Sequence, residues 1–406
     1  MKTLLVISQV YVPDPAAVGQ HVADLAEEMA RRGWRVVVYT SARGYEDPSK
    51  RYPLCEQNCG VEIRRLPFSS FGKRSIAVRL VAQAVFMIQA VARGMFTRGL
   101  AAVLVSTSPP FAGFGGALIS WLRSVPLTWW VMDLNPDQMI AAGKITTTSF
   151  PARMFDWMNR ATLRRASAVI ALDRFMKDRL VTKLAVSEKL HIVPPWPPDD
   201  DMSADPVRVT EFREQHGLAR KFVVMYSGNH ALQHPLTTLL DAARVLEEDR
   251  RLIFVFIGGG AGKQEVEERI EAGASNIRSL PYQPLAMLPC SLAAADLHVV
   301  SMGDDMVGII HPCKIYGALA VGRPILFFGP AASHAGEIVA GADIGWTVAH
   351  GDVPAAVTAI RAAAALVPEA AATIGCRSKK LGLGTYARRS LMGRCGDIVD
   401  DTCRPK

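Results

Sequence analysis

The chain has 406 residues, of which half are apolar and 21% are charged. This composition is typical of a globular protein rather than a disordered one, and the length is enough for two domains of about 200 residues. The seven cysteines are scattered without a paired zinc-type spacing, which indicates reduced thiols in a cytoplasmic protein. The formal charge of +8 arises in residues 1–198, where 25 Lys and Arg stand against 14 Asp and Glu, so we expect an anionic surface or an acidic substrate.

The amino-terminal stretch predicts a βαβ unit. Residues 2–8 read as a buried strand without the cleavage-site pattern of a signal peptide. A helical pattern starts at Gly19 and ends at Gly33, and residues 34–40 predict the next strand. Such a unit implies a parallel sheet, whose ligands bind beyond the carboxyl ends of the strands. The loop 9–21 therefore faces a site. Gly19 would let a ligand approach the backbone, although a plain helix-entry glycine explains it equally well.

Residues 76–96 form a strongly apolar stretch that could suggest a membrane span. Four polar side chains interrupt it on one arc of the helix: Arg79, Gln83, Gln89 and Arg93. A span is disfavoured, because one Arg at the bilayer centre costs about 2.5–3.5 kcal/mol. With Lys73, Arg74 and Arg98 at its ends, the helix fits peripheral contact with anionic lipid, and a core helix fits equally well.

An acidic residue follows the predicted strand 127–131. Asp133 stands where the carboxyl end of a central strand meets a site, which favours chemistry or the binding of substrate hydroxyls. Asp137 is read instead as the cap of the next helix.

The Pro-rich residues 194–198 separate two halves of the chain. Their rings resist helix and sheet, so we predict a stiff hinge there. The acidic residues 199–201 are interpreted as solvated linker rather than as a metal site.

The second half repeats the strand, loop and helix pattern. Its predicted strands are residues 222–227, 252–257, 277–280 and 297–301. A glycine-rich run follows the second of these strands, but it departs from both the Walker A and the G-x-G-x-x-G spacing, because Lys263 takes the last position. The sequence therefore predicts an α/β protein with two Rossmann-like parallel-sheet domains whose strand ends face one interdomain cleft.

The stretch 301–329 combines a polar loop, a helix and a strand. His311 and Pro312 begin the helix, Lys314 lies in its first turn, and Gly322 ends it. A helix amino terminus carries partial positive charge, so with Lys314 this is a candidate anion site. An ordinary corner of an α/β sheet is the alternative.

These residues together resemble a family 4 retaining glycosyltransferase of the GT-B fold, of the type that assembles bacterial surface polysaccharides. The resemblance covers nearly the whole chain and rests on GQHVADLAEEMARRGWRVVVYT, STSPPFAG, WVMDLNP, YSGNHALQHPLTTLLDAA, FIGGG, ADLHVVS and HPCKIYGALAVGRPIL in this order. It implies transfer of a sugar from a nucleotide sugar. The donor would be bound by the second domain and the acceptor by the first.

The resemblance also implies roles for individual residues. The expected catalytic residues are Asp133, on the acceptor side, and Lys314. The expected donor-binding residues are Gly19, Gly228, Asn229, His234, Lys263, Pro281, Tyr282, Asp304, Asp305, His311 and Lys314. His234 stands where many members have a phosphate-binding Lys. The two glutamates of many members fall on Ile309 and Gly317, so the contact to the ribose must come from elsewhere, and Asp304 or Asp305 could replace the first acid.

The complete prediction is an acceptor-binding domain at 1–198, a nucleotide-sugar-binding domain at 199–376 and a helical segment at 377–406 that returns to the first domain. No cofactor, metal ion or nucleic acid is expected. The expected partners are a nucleotide-sugar donor, a lipid-linked saccharide acceptor and an anionic membrane surface, which places the protein in the cytoplasm on the inner face of the cell membrane. The alternatives are a nucleotide-sugar epimerase of the same fold and an inactive glycosyltransferase-like scaffold.

Overall fold

The computed structural model describes residues 2–14, 16–44, 49–69 and 76–404, without the side chains of residues 76, 77 and 79. The chain divides into two compact units. The first unit comprises Met1–Pro195, Gly308–Ile310 and Arg389–Lys406, and the second comprises Trp196–Val307 and His311–Arg388. The predicted basic residues Lys73 and Arg74 lie outside the described residues.

The first unit is built on an eight-stranded sheet. Its strands are β1 (Thr3–Ile7), β2 (Arg35–Ser41), β3 (Cys55–Asn58), β4 (Val61–Leu66), β5 (Leu100–Val105), β6 (Leu127–Trp130), β7 (Ala168–Ala171) and β8 (Leu190–Ile192). They lie in the order β3-β4-β2-β1-β5-β6-β7-β8, and all neighbours are parallel except the edge strand β3, which is antiparallel to β4. The parallel strands are continuous apolar runs because helices cover both faces of the sheet.

Six helices follow these strands. They are α1 (Ala17–Arg31), α2 (Ile76–Met95), α3 (Ala112–Arg123), α4 (Asp137–Ala141), α5 (Phe150–Arg165) and α6 (Arg174–Lys183). The strand order reverses direction between β1 and β5. Because crossover connections are right-handed, α1 covers one face of the sheet, whereas α2, α3 and α5 lie side by side on the other.

The second unit has a six-stranded, fully parallel sheet. Its strands are β9 (Phe222–Ser227), β10 (Leu252–Ile257), β11 (Ile277–Leu280), β12 (Leu297–Ser301), β13 (Ile325–Phe328) and β14 (Gly345–Val348). Its helices are α7 (Pro206–Gln215), α8 (Thr237–Val245), α9 (Lys263–Glu271), α10 (Leu288–Ala293), α11 (Lys314–Val321), α12 (His334–Gly341), α13 (Val353–Ala364) and α14 (Pro368–Lys380). The order β11-β10-β9-β12-β13-β14 is that of a Rossmann sheet, and it reverses direction between β9 and β12.

The last helix, α15 (Arg388–Thr402), packs on the first unit apart from its first residue. The guanidinium of Arg32 donates to Asp397 and Asp400 at 2.8 and 2.9 Å, and the indole of Trp34 donates to Asp400 at 2.8 Å. These contacts to the end of α1 hold the carboxyl-terminal segment in place.

Helix α2 exposes apolar side chains to solvent and turns its two glutamines toward the protein. Gln83 is buried, and the Gln89 amide donates to the carbonyl of Pro67 at 2.7 Å. The exposed positions of α2 include Leu80, Val81 and Ile88. The two glutamines of the polar stripe therefore face protein rather than solvent, whereas Arg93 of the same stripe is exposed.

No single helix among the described residues has the length and composition to cross a bilayer. The bent pair Val353–Ala364 and Pro368–Thr402, with an angle of 106° between its parts, meets the test when it is taken together.

Candidate functional site

The strand reversal in the second unit places two loops beside each other. Gly228, Asn229 and His230 follow β9, and the segment from Met302 to Cys313 follows β12. In an open parallel sheet the crevice at such a reversal is where ligands bind, because the two loops leave in opposite directions.

Lys314, the first residue of α11, places a cation at the carboxyl edge of the second unit's sheet. Its ammonium lies 5.1 Å from the centre of the Tyr226 ring, which is a cation–π contact. Burial lowers the pKa of Lys314 from 10.5 to about 8. Among the described residues no carboxylate forms an ion pair with this ammonium. It is therefore a partly desolvated cation that an incoming anion would stabilise.

Gly228 makes room for Lys314. Its φ is +131°, a conformation that side chains rarely adopt, and a Cβ there would lie 2.8 Å from Cε of Lys314. The hydroxyl of Tyr226 donates to the carbonyl of Asn229 at 2.9 Å and fixes the loop. The loop after β9 and the side chain of Lys314 thus fit one another.

His234 joins the two sides of the reversal. Its Nδ1 lies 2.6 Å from the carbonyl oxygen of Ser301, and because a carbonyl only accepts, Nδ1 carries the proton. Burial, and then the positive charge of Lys314, hold the pKa of His234 well below its usual value. The ring is therefore neutral at physiological pH, and its one N–H is occupied. In this geometry His234 does not supply the cation that the resemblance implies at this position.

His230 lies on the loop after β9 and was not among the residues predicted for the site. It is fully buried, its ring lies edge-on to Tyr226 at 5.0 Å, and neither ring nitrogen has a hydrogen-bond partner among the described residues. Burial, with Lys314 and Lys263 adding to it, lowers its pKa to about 4. The only signal in the sequence is its position directly after the strand-end Gly228 and Asn229, which does not distinguish it from a core residue.

The glycine-rich run packs against this loop. A Cβ on Gly258 would lie 2.1 Å from the carbonyl oxygen of Gly228, and one on Gly260 would lie 2.3 Å from Oδ1 of Asn229. The Lys263 ammonium donates to the carbonyls of Gly258 and Leu280 at 3.0 and 3.4 Å. Lys263 thus ties the ends of β10 and β11 together, and the glycines allow close packing of two loops.

The residues after β11 present an aromatic surface. Tyr282, which follows Pro281, is 39% exposed, and its ring lies beside Gly259, where a Cβ would be 3.2 Å from Cε2. An exposed ring at a strand end is a platform for a planar ligand group.

Three further residues predicted in the second unit, Asp304, Asp305 and His311, lie in an exposed turn or in a separate buried cluster. Asp304 and Asp305 form an exposed 3₁₀ turn. His311 is buried, with Nε2 2.7 Å from the hydroxyl of Tyr316, and that hydroxyl lies 3.3 Å from Nε2 of His334. His311 is therefore part of a His–Tyr–His cluster between α11 and α12.

Neither position of the expected glutamate pair offers a carboxylate. Ile309 belongs to the short segment that packs on the first unit, where its carbonyl accepts from the N–H of Leu134 at 2.9 Å. Gly317 is buried in α11, and a Cβ there would lie 3.2 Å from Cδ1 of Leu292. A larger side chain at Gly317 would need that leucine to move.

Two predicted residues belong to the first unit. Asp133 follows β6, and its N–H donates to the Thr107 hydroxyl at 3.0 Å. Burial raises the pKa of Asp133 from 3.8 to about 6, near the range in which a carboxyl group serves as acid or base. Gly19 packs closely against the backbone of Tyr11, since a Cβ added to Gly19 would lie 3.1 Å from Cα of Tyr11.

The fold agrees with comparisons to known proteins. Residues 16–196 match the family described as a glycosyl transferase 4-like domain, and residues 221–365 match the family described as glycosyl transferases group 1. The chain is 22% identical over 356 residues to "Probable glycosyltransferase WbjE" of Pseudomonas aeruginosa, covering 87% of each protein. It is 24% identical over 355 residues to "Putative colanic acid biosynthesis glycosyl transferase WcaI" of Escherichia coli K12, covering 82% of this chain and 85% of the relative.

A solved structure shows the same fold over the full length. The Anabaena protein HepE in complex with UDP-glucose superposes with a TM-score of 0.74 at 17% identity, covering 99% of this chain and 100% of that one. Two Rossmann-like units in succession along the chain are the architecture of the GT-B fold. In this chain a glycosyl transferase 4-like domain thus precedes a glycosyl transferases group 1 domain.

Proposed function

We propose that the protein transfers a sugar from a nucleoside diphosphate sugar to a lipid-linked saccharide, with retention, during assembly of a bacterial surface polysaccharide. The observation that carries the proposal is the partly desolvated ammonium of Lys314 at the strand reversal of the second unit. The names of WbjE and WcaI and the UDP-glucose complex of HepE support the substrate class.

The chemistry of the leaving group explains why such a cation is needed. Breaking the bond between the sugar and the diphosphate develops negative charge on the phosphate, and preorganised donors at that point lower the barrier. Lys314 and the amino terminus of α11 would supply the charge. Because His234 is neutral and Lys263 is bound to backbone carbonyls, Lys314 has the main role. The proposal assigns no metal ion to this step.

The other groups have complementary roles in the proposal. Tyr282 would stack on the base of the nucleotide, since its ring is exposed beyond β11. Asp133, in the first unit, would orient the acceptor hydroxyl or share its proton, because a carboxyl group with a pKa of about 6 serves both purposes. The proposed location is the inner face of the cell membrane, where a lipid-linked acceptor is held. Vesicle binding should therefore decrease as salt is raised.

A panel of nucleoside diphosphates and their sugars tests the donor. A ligand that binds the folded protein raises its melting temperature, so a screen identifies the base and the sugar without any acceptor. The matching sugar nucleotide is then incubated with and without a lipid-linked saccharide, and the anomeric configuration of the product is read by NMR. Sugar transfer with the anomeric configuration unchanged is the expected result.

Two other outcomes would replace the proposal. A changed sugar nucleotide in the absence of acceptor would indicate an epimerase. Absence of any nucleotide binding would indicate an inactive scaffold, an alternative that Ile309 and Gly317 in place of the glutamates keep open.

A further inference from the structure

The first unit exposes an unusual share of its large apolar side chains on three neighbouring helices. In the described part of the chain eighteen such side chains are exposed, and nine of them lie on or directly after α2, α3 and α5. The six that carry the argument are Ile88, Phe96, Leu118, Trp121, Phe150 and Trp157, and we call this set the apolar face. Phe96, Phe150 and Trp121 are 86, 77 and 66% exposed. Contiguous apolar surface of this kind marks an interaction site.

The three helices form one continuous surface. The Arg123 guanidinium at the end of α3 donates to the carbonyl of Met95 at the end of α2. A Cβ on Gly115 of α3 would lie 2.2 Å from Cε of Met87, so these two helices are in close contact. Between α3 and α5 the rings of Phe114 and Trp157 lie 5.2 Å apart. The exposed stripes of the three helices are therefore adjacent.

Helix α2 is oriented with apolar residues toward solvent. Leu80, Ala84, Ile88 and Ala92 recur every four residues along its exposed side. A surface helix of a globular protein normally shows its polar side to water. Here the amide of Gln89 is directed inward to the carbonyls of Pro67 and Val85. The orientation is favourable only when something apolar covers the exposed side.

The charge around the face identifies what covers it. Helices α2 and α3 contain no Asp or Glu, and the one carboxylate of α5, Asp156, pairs with neighbouring cations. Arg93 and Arg98 at the end of α2, and Arg153 beside Phe150 on α5, are exposed next to the apolar side chains. A partner must therefore be both apolar and anionic. A second copy of this chain is disfavoured, because it would bring the same positive charges to the contact.

We propose that the apolar face docks on an anionic lipid bilayer, with Trp121, Trp157 and Phe150 at the level of the headgroups and Arg93, Arg98 and Arg153 on lipid phosphates. Tryptophan rings prefer this interface, and exposed cations add attraction to anionic lipid. The inference rests on the proposed function, since it names the surface by which the enzyme would reach a lipid-linked acceptor.

The test compares two double variants of the full chain. Ile88→Ser/Trp121→Ser alters the face, and Val207→Ser/Val245→Ser removes two similarly exposed apolar side chains from the second unit. Co-sedimentation uses vesicles of phosphatidylcholine mixed with phosphatidylglycerol, and vesicles of phosphatidylcholine alone. We expect the face variant to partition at least about tenfold less than wild type, and the control to match wild type. Brominated phosphatidylcholine should quench wild-type fluorescence, and quenching should fall in Trp121→Phe/Trp157→Phe.

Equal partitioning of the face variant and wild type would overturn the inference. So would a wild-type dimer in sedimentation velocity that the face variant converts to monomer while neither protein binds vesicles. Calorimetry with the best nucleoside diphosphate separates this inference from the proposed function. The face variant should keep wild-type nucleotide affinity, whereas a wild type without nucleotide affinity would refute the function and leave the vesicle result standing.

Discussion

The carboxyl edges of the two sheets carry half-buried groups of opposite charge. In the second unit it is Lys314, whose pKa burial lowers to about 8, and in the first it is Asp133, whose pKa burial raises to about 6. Burial disfavours the charged form in both cases, and among the described residues neither group forms an ion pair. The same sheet topology thus offers a site for an anion in one unit and a proton acceptor in the other.

The largest expected effect is on the carboxylate. Asp133→Asn keeps the shape of the side chain but removes its charge and basicity, so we expect turnover to fall by about 10²- to 10⁴-fold with nearly unchanged nucleotide affinity. Asp156→Asn is the control, because that carboxylate only pairs with Arg160 and Lys183 at 2.7 and 3.0 Å. Steady-state kinetics and calorimetry give the two quantities. Full turnover in Asp133→Asn would assign Asp133 a structural role.

The pH dependence of turnover provides a second measurement on Asp133. A carboxyl group with a pKa of about 6 is ionised above that pH and protonated below it. If the carboxylate accepts the acceptor's proton, kcat/KM should fall as the pH is lowered through about 6. A kcat/KM that stays constant through about pH 6 would contradict the role of Asp133 as proton acceptor.

The next effect is on the cation. Lys314→Ala should weaken nucleoside diphosphate binding by about 10- to 150-fold, since a charged hydrogen bond to phosphate contributes roughly 1.5–3 kcal/mol. Lys380→Ala, an exposed lysine on α14, is the matched control and should bind like wild type. Isothermal titration calorimetry measures both. The melting temperature without ligand should stay constant or rise, because the variant no longer buries an ammonium group.

Gly228→Ala, compared with a control glycine, separates the effect of backbone strain from the effect of displacing the Lys314 side chain. Its φ of +131° is costly for alanine, by about 1–3 kcal/mol, and the new Cβ would also displace Lys314. Gly273→Ala is the control, because Gly273 has a φ of +100° and nothing within 4 Å of its added Cβ. Both variants should lose thermal stability, but only Gly228→Ala should lose nucleotide affinity. Equal affinity losses would show that strain alone is responsible.

Part of this structure follows from the sequence, for physical reasons. Parallel strands buried on both faces are continuous apolar runs, so most of them and the loops after them could be predicted, whereas β3, β4 and β14 were not. Lys314 was predicted as a site residue because a helix start is a local feature, and Gly228 was predicted from the family resemblance. The role of Lys263 as a tie between strand ends depends on carbonyls of Gly258 and Leu280 that only the folded sheet brings to it.

The outward side of α2 was not predictable in the same way. Periodicity identifies which residues share a face, but it does not say which face is covered. The polar stripe with Gln83 and Gln89 fits a core helix and a surface-lying helix equally well until the carbonyl of Pro67 is in place. The position of His230 beside Tyr226 was not predicted for a related reason, since only its neighbours in space reveal it.

The proton balance of nucleotide binding tests the central claim most directly. At about pH 8 the ammonium of Lys314 is half deprotonated in the ligand-free protein, and a bound diphosphate would raise its pKa. Binding should therefore take up about half a proton, measured by calorimetry in two buffers of different ionisation enthalpy. The uptake should disappear in Lys314→Ala and persist in Lys380→Ala. Equal proton uptake in wild type and Lys314→Ala would contradict the claim that this lysine receives the phosphate.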